Sequence, residues 1–269
     1  MPEGHTLHRL ARAHQKQFAG APVEVSSPQG RFAAGASLVD GHVLVRAEAH
    51  GKHLFHVYGP ETIVHVHLGL YGTFDGAMVP APPPVGQVRL RLVGATHWAD
   101  LRGPNTCEIL TRAEVRALRD RLGPDPLRRD ANPDKAWDRI SRSRTPVAVA
   151  LMDQSVIAGI GNVYRAELLF RHGLHPMTPG RSLDRALWTD MWSDLVTLMR
   201  QGVRRNRIDT VRDEDLPKAT GRAPRKDRHG GEVYVYRRAG QPCLVCGTEV
   251  AAKVLAARNL FWCPTCQPT

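Results

Sequence analysis

Acidic residues are few for the length of this chain, and long apolar segments are absent. Asp and Glu number 26 against 37 Lys and Arg, which gives a formal net charge of +11 and a pI near 10.0. Such an excess of positive charge favours an acidic partner, with nucleic acid as the leading class. No apolar run approaches the roughly 20 residues of a membrane span. Charged residues begin at Glu3, so no secretory signal peptide is predicted, and we expect a cytoplasmic protein.

Cysteine is also scarce, with five residues in 269. In a cytoplasmic chain, cysteines are expected to be thiols or metal ligands rather than disulfides. Four of them form two Cys-x-x-Cys pairs separated by 16 residues, a spacing typical of zinc sites. Four thiolates leave no open coordination position, so one structural Zn²⁺ is expected; the alternative is four free thiols. The predicted ligands are Cys243, Cys246, Cys263 and Cys266, and Cys107 is expected to be an ordinary buried thiol.

The apolar pattern changes character along the chain, and the length predicts about two domains. Leu7, Leu10, Ala11 and Phe18 share one face of a first helix. Short β-rich runs punctuated by Gly and Pro follow to about residue 110, which predicts an antiparallel β-sandwich or barrel. A capping-box sequence from Thr111 predicts another short helix. Further segments are predicted as helices at 145–153, 162–172 and 182–201, a mobile loop at 203–230 and a β segment at 233–236.

The N-terminal residues have a pattern that suits amine chemistry. Pro2 follows Met1, and removal of the methionine leaves a secondary amine beside the carboxylate of Glu3. An amine next to an acid/base group is the minimum requirement for Schiff-base catalysis. The alternative is that Pro2 and Glu3 only begin a helix, where both residue types are favoured.

Two features of the second half suit phosphate binding. Gly159-Ile160-Gly161-Asn162 precedes an amphipathic helical run, and the free N–H groups of such a helix start suit an anion. The alternative is a plain helix–helix turn with Asn162 as N-cap. Arg258 lies near the expected tip of a hairpin between the two cysteine pairs, where a guanidinium can reach a phosphate.

Taken together, these motifs resemble the formamidopyrimidine-DNA glycosylase and endonuclease VIII family of base-excision repair enzymes. The resemblance covers nearly the whole chain, and the order and spacing of its parts are more specific than any single part. The parts are Pro2-Glu3-Gly4, His50-Gly51-Lys52, His67-Leu68-Gly69-Leu70-Tyr71-Gly72, and residues 100–103, 122–127, 151–164 and 258–267.

The resemblance implies an α+β fold with two domains. An N-terminal β-sandwich flanked by helices is followed by a helical domain with a helix-two-turn-helix motif and a four-cysteine zinc-finger hairpin. We expect the catalytic domain at 1–123, a linker at 124–136, the DNA-binding domain at 137–230 and the zinc finger at 231–269. A loop that covers the lesion is expected within 203–230.

The resemblance also implies a bifunctional DNA glycosylase and AP lyase. Pro2 is the expected nucleophile and Glu3 the general acid/base, and Lys52 and Arg258 complete the catalytic set. Lys52, Asn162 and Arg258 are expected to contact the phosphates that flank the lesion. The expected partner is damaged double-stranded DNA, bound by a monomer that is cytoplasmic and associated with the nucleoid.

Two motifs favour the endonuclease VIII branch, which prefers oxidised pyrimidines, and in particular an actinobacterial subgroup. They are the Pro-Glu-Gly start and Leu70-Tyr71-Gly72, which resembles an intercalating loop and is expected to fill the gap left by a flipped base. Without the resemblance, Leu70 and Tyr71 are equally well interpreted as core residues. The chain departs from the family at Gly69, where the loop has Gln, and at Thr6, where many members have a second Glu.

Rival interpretations remain open at this stage. A non-enzymatic zinc-ribbon DNA-binding protein, a member that prefers 8-oxoguanine or formamidopyrimidine, and a zinc hydrolase are each compatible with part of the sequence. Four histidines alternate on strands near Lys52. We expect them to form hydrogen bonds or to pack rather than to hold a metal, and they are His53, His56, His65 and His67.

Overall fold

The computed structural model of this protein describes residues 2–226 and 231–269. The chain divides into two compact units, residues 1–121 and 122–269. The predicted linker 124–136 therefore lies within the second unit, and its second half begins a helix. The four-part domain division stays a prediction.

The first unit contains two four-stranded antiparallel sheets with helices beside them. The elements of this unit are α1 Gly4–Phe18, β1 Glu24–Ser26, α2 Ala33–Ser37, β2 Arg46–His50, β3 His53–Gly59, β4 Thr62–His67, β5 Thr73–Met78, β6 Val88–Val93, β7 His97–Arg102, β8 Thr106–Leu110 and α3 Arg112–Asp120. The first sheet has the strand order β1-β6-β7-β5 and the second sheet has the order β2-β3-β4-β8.

Alternation along the strands directs apolar side chains to one side of each sheet. Leu54 and Val66 of the second sheet share a buried cluster with Leu90 and Leu101 of the first sheet. The apolar face of α1 joins the same cluster, as its sequence predicts. The predicted β-sandwich with flanking helices is therefore confirmed.

The opposite face of the second sheet is only partly covered. Phe55 and Ile63 pack there against Val115 of α3. The capping box that predicts this helix is present, because the Glu114 N–H donates to Thr111 Oγ1 at 3.2 Å and the Thr111 N–H donates to Glu114 at 2.7 Å. The remaining part of this face, toward the β2–β3 turn, carries polar side chains.

The second unit is mainly helical. Its elements are α4 Pro133–Ile140, α5 Val147–Ala150, α6 Asn162–Arg171, α7 Arg185–Arg205, α8 Pro217–Thr220, β9 Ala251–Leu255 and β10 Arg258–Trp262. Helix α6 is buried on every side over residues 162–170, and α5, α7 and β10 pack against it. The helices predicted from the pattern correspond to α5, α6 and α7, with α5 shorter and α7 longer than expected.

Three sequence predictions need correction. Among the short β-rich runs, Val43-Leu44-Val45 is predicted as a strand, but only Val43 and Leu44 form isolated bridges, and the strand begins afterwards at Arg46. Asn132-Pro133 begins α4, because Asn132 accepts from the Asp134 N–H at 2.9 Å and proline suits the first helical turn. Residues 233–236 are buried but form no strand.

The reason for the third correction is a buried carboxylate. The N–H groups of Tyr234, Val235 and Tyr236 donate to Glu167 of α6 at 2.7–2.8 Å. These amides have no strand partner because one side chain satisfies all three. The β-branched and aromatic residues of this segment are buried, as their pattern indicates, but their N–H groups donate to the Glu167 carboxylate and not to a neighbouring strand.

Within the ranges 2–226 and 231–269, no helix has the length and apolar character that crossing a membrane requires. The predicted loop at 203–230 contains the end of α7, α8 and a 3₁₀ turn at Asp213–Asp215. Its residues 227–230 lie outside the described residues.

Candidate functional site

The start of α1 holds a carboxylate out of solvent. Glu3 is the N-cap residue of the helix and is 0% exposed, and Pro2 before it is half-buried. The Glu3 side chain makes no capping hydrogen bond, whereas its carbonyl accepts from the Thr6 N–H at 2.9 Å. The apolar anchor of α1 thus fixes Pro2 and Glu3 together at one end of the helix.

A neutral imidazole follows in the first turn. His5 is buried, and burial together with the nearby Arg9 lowers the pKa of His5 to about 4. Its Nε2 lies 3.3 Å from the Thr6 hydroxyl. Where many family members have a second carboxylate, this chain therefore has a hydroxyl beside an uncharged histidine.

The β2–β3 turn presents Lys52. His50 pairs with His53, so the turn has two residues, Gly51 and Lys52. Gly51 has φ +56°, and a positive φ at the first turn position is the geometry in which glycine is favoured. The turn therefore carries the Lys52 side chain, half-buried, at the end of the sheet.

Three of the four strand histidines lie on the polar face next to this turn. His53 Nδ1 and His65 Nε2 are 2.8 Å apart, and His65 Nδ1 is 2.9 Å from Glu108. The His67 ring lies 5.0 Å from that of His53. Burial is the main cause that lowers the pKa of His53 to about 3, and the neighbouring His65 ring lowers it further. His53 and His65 thus make side-chain hydrogen bonds, and the His67 ring packs against His53.

His56 does not belong to this group. It points into the sandwich, where its Nε2 is 2.9 Å from Nδ1 of the buried His14. Among the residues that the structure describes, the cysteine cluster is the only group of His, Cys, Asp or Glu that could hold a metal.

The turn after β4 projects from the first unit. Leu70 is 44% exposed and Tyr71 is 84% exposed, so neither is a core residue. Gly69 has φ +66°, and a Cβ atom there would stand 2.8 Å from Cβ of Asn105. A glutamine side chain would therefore be strained and crowded at this position, which explains the departure from the family motif.

In the second unit, the Gly-Asn turn holds its asparagine inward. Gly161 is the N-cap of α6 and Asn162 is its first residue, so the prediction of Asn162 as the cap is wrong. Its side chain is 6% exposed, and its Nδ2 donates to the Asn259 carbonyl at 2.9 Å. Asn162 is thereby joined to the β9–β10 hairpin.

Arg258 lies at the tip of that hairpin, as predicted. It pairs with Leu255, and Ala256 and Ala257 form the two-residue turn with φ values of 47° and 57°. Arg258 is exposed. Asn259 follows Arg258 directly in the chain. The hydrogen bond from Asn162 to the Asn259 carbonyl therefore connects Asn162 and Arg258, which are two of the three expected phosphate contacts.

The four predicted zinc ligands converge beside the base of the hairpin. Their sulfur atoms lie within 4.8 Å of one another, with Sγ–Sγ distances of 3.8 Å for Cys243–Cys266 and 3.4 Å for Cys246–Cys263. A tetrahedral zinc with Zn–S bonds of about 2.3 Å separates its sulfurs by about 3.8 Å. The donor set therefore fits Zn²⁺. Gln267 attaches the module to the unit, because it donates to the Leu174 carbonyl at 2.9 Å.

Three family models match this chain. They are the formamidopyrimidine-DNA glycosylase N-terminal domain at residues 1–107, the formamidopyrimidine-DNA glycosylase H2TH domain at 122–213, and the zinc finger found in FPG and IleRS at 240–269. Endonuclease 8 1 of Mycobacterium tuberculosis is 57% identical over 99% of this chain and 100% of its own length. The chain belongs to the formamidopyrimidine-DNA glycosylase and endonuclease VIII family. It is thus a member of a family of DNA glycosylases with AP lyase activity.

Solved structures of the same family share the fold. Lactococcus lactis formamidopyrimidine-DNA glycosylase with DNA containing an oxidised pyrimidine has a TM-score of 0.79 at 19% identity and covers 100% of both chains. The same enzyme with DNA containing N7-benzyl-Fapy-dG has a TM-score of 0.79 at 20% identity, again over 100% of both chains. One fold therefore accommodates both lesion classes, so the fold alone does not select between them.

Sequence reasoning missed two residues that contact the candidate site. Arg165 and Asn259 surround the Asn162 side chain. The spacing of Asn162 and Arg165, three residues apart at the start of a helix, places both side chains on one helix face and was the available signal. The carbonyl of Asn259 had none, because backbone acceptors leave no trace in sequence.

Proposed function

We propose that this protein removes an oxidised base, preferentially a pyrimidine, from damaged double-stranded DNA and then cuts the strand at the abasic site. Pro2 is the nucleophile after removal of Met1, and Glu3 is the general acid/base. The observation that carries this proposal is the fully buried carboxylate of Glu3 beside Pro2 at the start of α1.

The first stage breaks the glycosidic bond. The target carbon is inaccessible in stacked DNA, so the nucleotide is flipped out of the duplex. The Pro2 nitrogen bonds to C1′, and the base leaves with the electron pair of the broken C1′–base bond and takes a proton from solvent. The nitrogen then passes its proton to Glu3, the C1′–O4′ bond opens, and Glu3 gives that proton to O4′. An α-amine titrates at roughly 7.7–8.0, so an unprotonated fraction of Pro2 exists at neutral pH.

The second stage cuts the strand. The iminium ion between Pro2 and C1′ has no N–H, because proline is a secondary amine, and it keeps its positive charge. That charge acidifies C2′, and loss of a C2′ proton expels the 3′ phosphate. A further elimination, with loss of a C4′ proton, expels the 5′ phosphate and leaves a gap of one nucleoside.

The remaining site residues bind and shape the DNA. Lys52, Asn162 and Arg258 contact phosphates near the lesion, which supplies affinity and register without reading bases. Leu70 and Tyr71 fill the space of the flipped base, and their exposure on a projecting turn supports this role. The Zn²⁺ held by the four cysteines is structural, because a four-thiolate shell is closed.

The pyrimidine preference rests on similarity and on the projecting turn. The 57% identical relative is named an endonuclease 8, and Leu70-Tyr71-Gly72 resembles the intercalating loop of the endonuclease VIII branch. The second candidate is the 8-oxoguanine or formamidopyrimidine preference, which the shared fold allows. A panel of duplexes with single lesions distinguishes the two by relative cleavage rates.

Borohydride trapping tests the nucleophile. With abasic duplex DNA, reduction of the iminium is expected to give a covalent complex with the wild-type protein and none with protein that carries a tag on its N-terminus, because the tag removes the free amine of Pro2. Intact mass should show Pro2 as the first residue of active protein. The same tag at the C-terminus serves as the control and should leave trapping normal. Equal trapping by the N-terminally tagged protein would exclude Pro2 as the nucleophile.

A further inference from the structure

Arg165 is a buried charge directly behind the proposed phosphate contacts. It lies in the first turn of α6, and the residue is 0% exposed. Its Nη2 group donates to Oδ1 of Asn162 and, at 2.9 Å, to the carbonyl of Asn259. Removing a guanidinium from water is costly unless its donors are well used. A leucine or methionine would fill the same space, so the position calls for a role beyond packing.

The two partners of the Asn162 side chain determine how its amide group is oriented. Arg165 can only donate, so the atom that faces it must be the oxygen. The Asn259 carbonyl can only accept, so the atom that faces it must be the nitrogen. The orientation therefore follows from the chemistry of the two neighbours.

This orientation matters because a phosphate accepts hydrogen bonds and repels an exposed carbonyl oxygen. With Oδ1 held by Arg165, the group that Asn162 can offer to an anion is the second hydrogen of Nδ2. Without Arg165, Oδ1 loses its donor and the Asn259 carbonyl loses one of its two side-chain donors, so only the bond between Nδ2 and that carbonyl still orients the amide.

The same carbonyl links Arg165 to the hairpin tip. Asn259 follows Arg258 in β10, and its carbonyl receives hydrogen bonds from both Asn162 and Arg165. The backbone next to Arg258 is thereby fixed to the start of α6. One buried guanidinium thus contacts the groups that hold both proposed phosphate contacts of this unit in place.

We propose that Arg165 is a positioning residue for DNA binding. It directs the Asn162 amide nitrogen toward phosphate and holds the hairpin so that Arg258 reaches the same strand. This inference rests on the proposed phosphate contacts of Asn162 and Arg258. Arg165 itself does not touch the DNA, so its effect is on affinity and salt dependence rather than on the chemistry at Pro2.

The test compares Arg165→Met with Asn162→Ala by fluorescence anisotropy on abasic duplex DNA at several salt concentrations. Loss of a charge-assisted hydrogen bond predicts binding weaker by about tenfold in each variant. The slope of log Kd against log salt should fall by about 0.9, the value for one phosphate, in Arg165→Met, because Arg258 then loses its proposed phosphate contact. The slope should change little in Asn162→Ala, because a neutral amide releases no counterion. The double variant should be no weaker than either single one, because both changes remove one unit.

The matched control is Arg171→Met, which removes an interior arginine from the same helix. Arg171 is bonded to Asp194 at 2.7 Å and has no contact with Asn162 in the described residues. It should lower the melting temperature yet keep the wild-type salt slope. Arg165→Lys keeps the charge and one donor group, so it should fold and restore binding in part.

The outcomes distinguish the positioning role of Arg165 from the proposed phosphate contact of Asn162. If Asn162→Ala weakens binding and a folded Arg165→Met or Arg165→Lys variant binds as wild type, the positioning role is wrong. A wild-type affinity in Asn162→Ala means that Asn162 is not a phosphate contact, and the proposed function loses that part. If Arg165→Met is unfolded and Arg165→Lys has an unaltered affinity, the role of Arg165 is structural only.

Discussion

Glu3 combines two properties that a general acid needs, a fixed position and shelter from water. Its side chain is fully buried, and the apolar face of α1 anchors the segment that carries it. Position 3 was identifiable from the sequence because of the family motif. Its burial was not, because an acidic residue at a helix start is normally exposed.

Glu3→Gln keeps the size of the side chain and removes its acid/base function. We expect base release from a single-lesion duplex to slow by on the order of 100-fold or more, the usual contribution of a general acid or base. Folding and DNA affinity should change little. Glu24→Gln, on an exposed strand position, is the control. Base release at the wild-type rate in Glu3→Gln would remove the residue from the mechanism.

The buried pair His14 and His56 makes stability depend on pH. Burial lowers the pKa of His56 to about 4, and burial with His56 nearby lowers the pKa of His14 well below its usual value. The folded state therefore favours neutral rings, so the unfolded chain, with an ordinary pKa of about 6.5, binds more protons. The stabilisation is complete above pH 6.5 and declines as the pH falls toward 4.

Urea unfolding at pH 7 and pH 5 checks this dependence. For His56 alone the expected loss at pH 5 is about 2 kcal/mol. His56→Gln should reduce the difference between the two pH values, and the exposed His42→Gln should leave it as in the wild type. Equal unfolding free energies at both pH values would contradict the prediction.

At the scale of elements, sequence patterns predicted the structure correctly where the backbone hydrogen bonds join residues that are close in sequence. Helix α3 carries its own capping signal in Thr111 and Glu114, and α1 has a continuous apolar face. The pattern failed at 233–236, because the partner of those amides is Glu167, far away in sequence. Long-range side-chain acceptors leave no periodicity in the segment that they hold.

The zinc hairpin contains a strained turn. Ala256 and Ala257 both have positive φ, which is the region that favours Gly or Asn in two-residue hairpins. We expect Ala257→Gly to relieve about 1 kcal/mol of strain and to slow zinc release to a chelator. Ala252→Gly, in the middle of β9, is the opposite control, since glycine weakens a strand interior. Faster release from Ala257→Gly than from the wild type would show that the turn is not strained.

At the scale of the whole molecule, the order of motifs identified the family across both units. What the sequence could not provide was how these motifs are connected within each unit. The Gly-Asn turn and the hairpin tip were separate observations until one carbonyl, that of Asn259, joined them. The absence of a larger residue at position 69 is likewise explained only by the structure, in which Asn105 lies close to Gly69. A close contact between two turns that are distant in sequence has no sequence signature.

Removal of zinc tests whether the zinc site supports DNA binding through Arg258 rather than the chemistry at Pro2 and Glu3. The four cysteines that fit a zinc ion lie in the second unit, whereas Pro2 and Glu3 lie in the first. Because metal binding and folding of such a module are coupled, chelation should unfold the hairpin that carries Arg258. We expect DNA affinity and activity to fall together, slowly and at the rate of zinc loss, and to return when zinc is restored.

A zinc hydrolase would behave differently, because its metal has an open position for water. Its activity would be lost as soon as a chelator occupies the metal, before any loss of DNA affinity. Parallel measurement of zinc content, anisotropy with abasic DNA and borohydride trapping at saturating DNA therefore separates the two mechanisms. Trapping that persists in zinc-depleted protein, once DNA is raised to saturation, is the result that a structural zinc requires. Abrupt loss of activity with DNA affinity retained would instead make the zinc catalytic.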